Sequence, residues 1–234
     1  METMRKLLAE AIGTFFLCFA GIGAILSTQP PINSGAGLVG VALAHGLALS
    51  IAVATFGGIS GGHVNPAVTI GFLVTGRIKL PLAVLYIISQ LVGATVAAAA
   101  CNYIFPAEAV EAAMLGIPLP PPPPDGDWVT IPILLLAEGI MTFLLMTAIF
   151  GAAVDPRGQA VKIGAFAIGL TIAFDILAGG PVTGASMNPA RSFGPALVHN
   201  YFDLHWCYWA GPVAGAVVAA LVYHHLLLDK PTKA

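Results

Sequence analysis

The sequence predicts an all-α membrane protein with six transmembrane helices and two re-entrant half-helices, arranged as an inverted repeat. Three observations support this fold class. Only 9% of the 234 residues are charged and 58% are apolar, whereas a soluble domain carries about 25% charged residues. The apolar residues also form six runs long enough to cross a hydrocarbon core, which takes about 20 residues. Finally, the two halves of the chain resemble each other around one tripeptide.

The six apolar runs define the membrane spans. They do not alternate apolar and polar residues as β-barrel strands do, so helices are favoured. The first run is too long for a cleaved signal peptide and lacks an Ala-x-Ala site, so we expect it to be retained. The predicted spans cover residues 7–26, 38–56, 82–104, 131–154, 161–178 and 206–228.

Cationic residues predict the orientation of these spans. Six spans place eight of the nine Lys and Arg residues on one side of the membrane, and cytoplasmic loops are the ones enriched in Lys and Arg. We therefore expect a multi-pass protein of the cell membrane with both termini in the cytoplasm. The eight residues are Arg5, Lys6, Arg77, Lys79, Arg157, Lys162, Lys230 and Lys233. The outer loops, at about 27–37, 105–130 and 199–205, contain none, and Arg191 fits neither group.

The composition also excludes several functional classes. The formal charge of −2 gives no basic excess for nucleic acid. No nucleophile–base arrangement or metal-ligand spacing is present, so the sequence predicts no enzyme activity, no metal and no cofactor. Cys18, Cys101 and Cys207 lie in apolar runs without a CxxC spacing and are interpreted as small core residues.

The internal repeat predicts the domain organisation. Shifting the chain by 123 residues aligns 46–68 with 169–191, with seven identities that include Asn-Pro-Ala at 65–67 and 188–190. Because each half has three spans, an odd number, the second half must be inverted. We expect one transmembrane channel domain over 1–234, with repeats at about 1–104 and 131–228 joined by a Pro-rich outer loop at 105–130.

Each repeat also contains an apolar segment too short to span, at 66–75 and 189–198. Ten helical residues cover about 15 Å, half of the hydrocarbon core. Each segment begins with Asn-Pro, a favoured N-cap followed by the residue best tolerated at the first helical position. The preceding Gly-rich stretches, 57–64 and 180–187, are predicted to be non-helical. We expect the two half-helices to meet N-terminus to N-terminus at the midplane.

Such a meeting point favours a particular kind of solute. Each helix N-terminus acts as roughly +0.5 charge, so two of them repel cations. The amides of Asn65 and Asn188 can donate hydrogen bonds, and the loop carbonyls can accept them. The arrangement predicts a passive pore that carries small neutral polar molecules and rejects ions.

With its tandem motifs the sequence resembles the aquaporin, or major intrinsic protein, family over essentially the whole chain. The motifs are Ser-Gly-Gly-His-Val-Asn-Pro-Ala-Val-Thr at 60–69 and Ser-Met-Asn-Pro-Ala-Arg-Ser at 186–192. The resemblance implies a water channel in the lipid bilayer, assembled as a homotetramer with one pore per subunit. Its midplane motif residues would be Asn65, Pro66, Ala67, Asn188, Pro189 and Ala190.

The resemblance further implies a selectivity filter at the outer constriction, formed by His45, Ile176, Ala185 and Arg191. This set is more like plant vacuolar-membrane and some archaeal members than strict water channels. It therefore extends the expected solutes to ammonia or another small neutral molecule, while Ser192 after the filter arginine argues against a dedicated glycerol facilitator. The implied ladder of pore carbonyls comprises Gly61, Gly62, His63, Val64, Gly184, Ala185, Ser186 and Met187.

The polar residues inside the spans leave alternatives open. Glu10 and Glu138 occupy equivalent places in the repeat, and they either support the re-entrant loops, as Gln90 would, or relay protons in an ion-coupled secondary transporter. Loop support is favoured by the symmetry. A third hypothesis is a scaffold protein that uses the proline run at 118–124. Asp175 has no assigned role.

Overall fold

The computed structural model describes residues 1–122, 125 and 127–229, and within them the chain is helical without strands. In this described part of the chain, six helices are long and apolar enough to cross a membrane, which confirms the predicted fold class. The α-helices are α1 Glu2–Ser27, α2 Gly37–Ser60, α3 Pro66–Val74, α4 Leu80–Ile104, α5 Ala107–Ala112, α6 Ile131–Ile149, α7 Pro156–Gln159, α8 Gly164–Thr183, α9 Pro189–His199 and α10 Cys207–Val222. Single π-helical segments, Phe150–Val154 and Tyr223–Leu227, extend α6 and α10.

Each predicted span corresponds to one helix, although the ends differ. Helix α2 continues to Ser60 and α8 to Thr183. The prediction that 57–64 and 180–187 are non-helical is therefore wrong up to residues 60 and 183. Glycine in a helix costs only about 1 kcal/mol relative to alanine, whereas an unpaired backbone group at membrane depth costs several kcal/mol. The helices therefore continue through these glycines.

The two half-helices begin where the sequence places them. Asn65 and Asn188 are the N-caps of α3 and α9, with extended backbone, and each is followed by proline. Their side-chain Oδ1 atoms accept from the backbone N–H of Ala67 at 2.8 Å and of Ala190 at 3.0 Å. The Asn-Pro signal therefore acts locally, through capping and the fixed proline φ angle.

The helix packing repeats when the two halves are exchanged. Helix α1 packs on α2 and α4, as α6 packs on α8 and α10; α9 lies against α4, as α3 lies against α10. Glycines permit equivalent close crossings: a Cβ on Gly93 would overlap the Ala11 carbonyl, and one on Gly215 would overlap the Gly139 carbonyl. The repeat seen in the sequence thus extends to the contacts between helices.

The connection at 105–130, predicted as a Pro-rich outer loop, is partly helical. It contains α5 and a short 3-10 helix, Met114–Gly116. Val110 and Leu115 are buried in a cluster with Ile22 of α1, and burial of such side chains favours a folded connection. Pro123 and Pro124 of the proline run lie outside the described residues, as do Lys230 and Lys233.

An ion-pair network lies on the terminal side of the molecule, by which we mean the side where α1 begins and α10 ends. The buried Asp155 accepts hydrogen bonds from Arg157 Nε at 2.9 Å and from the Tyr223 hydroxyl at 3.1 Å. Arg157 also donates to the Leu227 carbonyl at 2.8 Å and pairs with Asp229 at 3.0 Å. The hydrogen bonds from Arg157 hold the pKa of Asp155 well below its usual value. The network ties the α6–α8 connection to the end of α10.

We expect Asp155→Asn to lower the thermal stability at neutral pH. Because the pKa of Asp155 is depressed in the folded state, its ionised form stabilises the fold above about pH 4, and that contribution is lost as the pH falls below about 4. Thermal unfolding of the detergent-solubilised protein across this range measures the effect. The control is Asp229→Asn, which removes a mostly exposed partner of the same arginine and is expected to change little. Identical pH profiles for wild type and Asp155→Asn would contradict the prediction.

Candidate functional site: a central pore

Two short non-helical segments, 61–64 and 184–187, join α2 to α3 and α8 to α9. Three of their non-glycine residues have left-handed backbone: Val64 at φ 55°, Ala185 at φ 46° and Met187 at φ 54°. This conformation costs a non-glycine residue about 1–2 kcal/mol. Other contacts must therefore hold both segments in place.

In the first half, the carboxylate of Glu10 on α1 holds the segment 61–64 in place. Its Oε1 atom accepts from the backbone N–H of His63 at 3.0 Å and from the Ser60 hydroxyl at 2.7 Å. Its Oε2 atom accepts from the N–H of Val64 and from Gln90 Nε2, both at 2.7 Å. Glu10 is fully buried, so these four donors satisfy a charge that water does not reach.

Glu138 on α6 makes the equivalent contacts in the second half. It accepts from the Thr183 hydroxyl at 2.7 Å, from the N–H of Ser186 at 2.9 Å and from the N–H of Met187 at 2.7 Å. No side-chain amide of the described residues joins it as Gln90 joins Glu10. The two carboxylates thus hold the two segments in the same way, except for this amide.

Sequence reasoning missed four side chains of this support. The hydroxyls of Ser60 and Thr183 bond the carboxylates, while Tyr86 donates to the Ser60 carbonyl at 2.8 Å and Tyr208 to the Thr183 carbonyl at 2.7 Å. Ser60 and Thr183 are aligned by the shift of 123 residues that aligns the motifs. A search for matched hydroxyls, rather than identical residues, would have found that pair.

The two motif asparagines connect the segments to each other. Asn65 Nδ2 donates to the Met187 carbonyl at 2.8 Å, and Asn188 Nδ2 donates to the Val64 carbonyl at 2.9 Å. These bonds bring the N-termini of α3 and α9 together in the centre of the molecule. Each amide nitrogen keeps one further N–H, and both asparagines line the cavity that opens toward the terminal side.

The backbone carbonyls differ in how they are used. The carbonyls of Val64 and Met187, two members of the expected ladder, already accept hydrogen bonds from the asparagine amides. The remaining six carbonyls accept no hydrogen bond from any described residue. They belong to Gly61, Gly62, His63, Gly184, Ala185 and Ser186. Gly61, Gly62 and His63 line the cavity that opens toward the terminal side, so their carbonyls are acceptors available to a solute there.

The terminal-side cavity combines a polar strip with an apolar wall. Gly61, Gly62 and His63 line it beside the two asparagines, and the opposite wall includes Leu145 and Ile172. His63 is oriented by Thr69, whose Oγ1 lies 3.1 Å from Nδ1, and by packing on Phe72 with ring centroids 4.5 Å apart. Since the apolar wall offers no hydrogen bonds, a solute in this cavity can bond only along one side.

A second cavity opens on the opposite side, which we call the far side. His45, Ile176 and Arg191 line it together with Gly184. The fourth predicted filter residue, Ala185, is buried and does not line this cavity. Its neighbour Gly184 lines the far-side cavity in its place.

Arg191 is a buried cation whose guanidinium makes one hydrogen bond to the described residues. Its Nη1 atom donates to the Gly116 carbonyl at 2.8 Å, whereas its Nε atom has no partner among the described residues. Gly116 belongs to the connection at 105–130, and the sequence contained no signal that pointed to its carbonyl. Asp175 is also buried and its Oδ2 atom lacks a partner in the described part of the chain, but it lines neither cavity.

Six spanning helices around two opposed half-helices, with one partly polar cavity on each side of the point where the half-helices meet, define a multi-pass membrane channel. The chain belongs to the major intrinsic protein family, whose model matches residues 1–223. That family consists of channels and not of enzymes. The resemblance noted from the tandem motifs is therefore confirmed.

Individual relatives agree with this assignment. The chain is 41% identical over 229 residues to aquaporin TIP4-4 of Zea mays, which covers 96% of this chain and 87% of the relative. It is 39% identical over 238 residues to aquaporin TIP2-1 of Arabidopsis thaliana, covering 97% and 89%. The X-ray structure of the aquaglyceroporin from Plasmodium falciparum has the same fold, with a TM-score of 0.80 over 96% of each chain at 21% identity.

We expect Glu138→Gln to destabilise the protein by about 1–3 kcal/mol for each buried donor that loses its acceptor. The matched variant is Glu10→Gln, whose loss of stability should be smaller, because the Gln90 Oε1 atom has no partner among the described residues and can turn to accept from the new amide. Thermal unfolding followed by tryptophan fluorescence compares the two variants. Equal losses would contradict this account of Gln90.

Proposed function

We propose that this protein is a passive, single-file channel for water that also admits ammonia and excludes ions and protons. The observation that carries the proposal is the strip of backbone carbonyls on either side of the two asparagine amides that accept no bond from a described residue, at Gly61, Gly62 and His63 in the terminal-side cavity and at Gly184 in the far-side cavity. It agrees with the names of the relatives, which are aquaporins.

The polar strip accounts for conduction and for the exclusion of protons. A water molecule donates to the carbonyls in either segment, and at the centre its oxygen accepts the free N–H of Asn65 or Asn188. The partial positive charges at the N-termini of α3 and α9 favour the same orientation of the water molecule, with its oxygen toward the centre. A water whose oxygen is fixed toward the asparagines cannot accept a proton from the next water in the file, so the proton path is interrupted. The two helix ends also repel cations.

The far-side cavity sets which neutral solutes enter. We assign the filter to His45, Ile176 and Arg191, with Ala185 acting through the wall formed at Gly184. The His45 Nδ1 atom lies 2.8 Å from the Val41 carbonyl, so it carries the ring proton, and the Nε2 edge of the ring faces Gly21 on α1. Arg191 offers the guanidinium N–H groups that the Gly116 carbonyl does not accept, and Ile176 offers neither a donor nor an acceptor. These donors, together with the Gly184 carbonyl, which accepts no bond from a described residue, suit water and ammonia, while the guanidinium repels cations.

An ion-coupled transporter would need Glu10, Glu138 or Asp175 to exchange protons during transport, and Asp175 lines neither cavity. Glu10 and Glu138 are buried and accept bonds from the pore segments, so proton exchange at either would release a strained loop. We therefore assign both, with Gln90, to loop support and not to proton relay.

We further propose that both termini face the cytoplasm of a cell membrane and that the chain forms a homotetramer. The described cations outside the pore, including Arg5, Arg77 and Arg157, lie in the segments of the terminal side. This distribution follows the positive-inside rule. Protease accessibility of terminal tags in sealed vesicles, and the mass of the detergent-free particle, test these two assignments.

We expect stopped-flow light scattering to show faster water flux in proteoliposomes than in empty liposomes, with slow glycerol flux. In His45→Phe/Ile176→His, ammonia flux should be lost while water flux persists, because the filter then carries the residues usual in strict water channels. Ile88→Phe, on an exposed surface of α4, controls for added aromatic bulk. Water flux no faster than in empty liposomes would contradict the proposed function.

Mercurials are expected to inhibit the water flux only weakly. Cys18, Cys101 and Cys207 are fully buried, and none of them lines either cavity. Ile176→Cys, which places a thiol in the far-side cavity, should create strong inhibition that thiols reverse. Strong inhibition of the wild type, removed by alanine at one native cysteine, would show that the pathway follows a different course.

A further inference from the structure

Gly21 on α1 faces the ring of His45 on α2. A Cβ atom on Gly21 would overlap the His45 Nε2 atom and would lie 2.5 Å from Cδ2 and Cε1. The ring is also held by its Nδ1 atom, which bonds the Val41 carbonyl one turn earlier on α2. The His45 ring thus occupies the volume that any side chain at position 21 would need.

The glycine is not required by the backbone at this crossing. The three atoms nearest to the missing Cβ of Gly21 all belong to the His45 ring, whereas at Gly93 they all belong to the backbone of Ala11. Gly21 also lies inside a 26-residue helix, where glycine is less favourable than alanine. What the absence of a side chain provides at this position is therefore room for the imidazole.

The room at Gly21 bears directly on the width of the far-side cavity. His45 lines this cavity together with Ile176 and Arg191, and its Nε2 atom has no hydrogen-bond partner among the described residues. With its Nε2 edge against α1, the ring leaves the space between the three side chains open. If the ring were displaced from α1, the helical turn at Val41 would block it on one side, whereas the cavity borders it on the other. The ring would therefore move into the cavity.

We propose that Gly21 is a specificity-determining residue of the channel, acting as a positioning residue that lets the His45 imidazole withdraw from the solute path. The proposal rests on the proposed function, because it concerns the width of the same path. A methyl group at position 21 would push the ring toward Ile176 and Arg191 and narrow the constriction. The protein should still fold, since the atoms that must yield are the end of a movable side chain.

The test is the permeability of Gly21→Ala in proteoliposomes, normalised to the amount of reconstituted protein. Water and ammonia permeabilities are expected to fall about tenfold, which corresponds to a barrier increase of about 1.4 kcal/mol. Gly23→Ala is the matched control on the same helix. Its Cβ would lie 3.4 Å from Phe105 Cζ, an ordinary contact, so its permeability should equal that of the wild type.

A double-mutant cycle separates ring displacement from a general packing defect. In a His45→Ala background the ring is absent, so adding Gly21→Ala should leave the permeability unchanged. An equal loss in both backgrounds, a Gly21→Ala protein as permeable as wild type, or one that fails to fold would each overturn the inference. A wild type no faster than empty liposomes would instead refute the proposed function, and the inference with it.

Discussion

Two buried carboxylates, each bonded to backbone N–H groups of a non-helical segment, are the interaction on which the pore depends. At membrane depth no water is available to satisfy backbone that leaves a helix, and Glu10 and Glu138 supply the missing acceptors. In a trans peptide the N–H and C=O groups point in opposite directions. Anchoring the N–H groups behind the segments therefore presents the carbonyls to the pore, so the same contacts stabilise the fold and create the solute path.

The same contacts explain how strained backbone persists at the centre of the protein. Val64 and Met187 both have positive φ angles, and each donates its N–H to a carboxylate while its carbonyl accepts an asparagine amide from the other half. Each strained residue is thus hydrogen-bonded through both its N–H group and its carbonyl. Because each asparagine also caps its own half-helix, the two repeats stabilise each other across the midplane. Neither half could form this centre alone.

The far-side cavity differs from the centre, because two of the contacts that shape it do not come from the repeat. The Gly116 carbonyl that orients Arg191 belongs to the connection between the halves, and the room for His45 comes from Gly21 on α1. Neither feature has an equivalent on the terminal side, where Gln90 and His63 are the residues particular to the first half. We infer that the symmetric centre sets what the channel excludes, while unrelated single residues adjust which neutral solutes it admits.

The sequence by itself determined the six spans, the two half-helices and the residues at their N-caps, because hydropathy over about 20 residues and the capping preferences of Asn-Pro are local properties. The repeat also pointed to Glu10 and Glu138 as loop supports. Only the tertiary structure decided that helix α2 runs on to Ser60 and that Gly184 rather than Ala185 lines the far-side wall. It alone placed the Gly116 carbonyl on Arg191 and the His45 ring against Gly21. Those contacts join residues far apart in the chain, and their geometry depends on how the helices cross, which no local pattern of residues specifies.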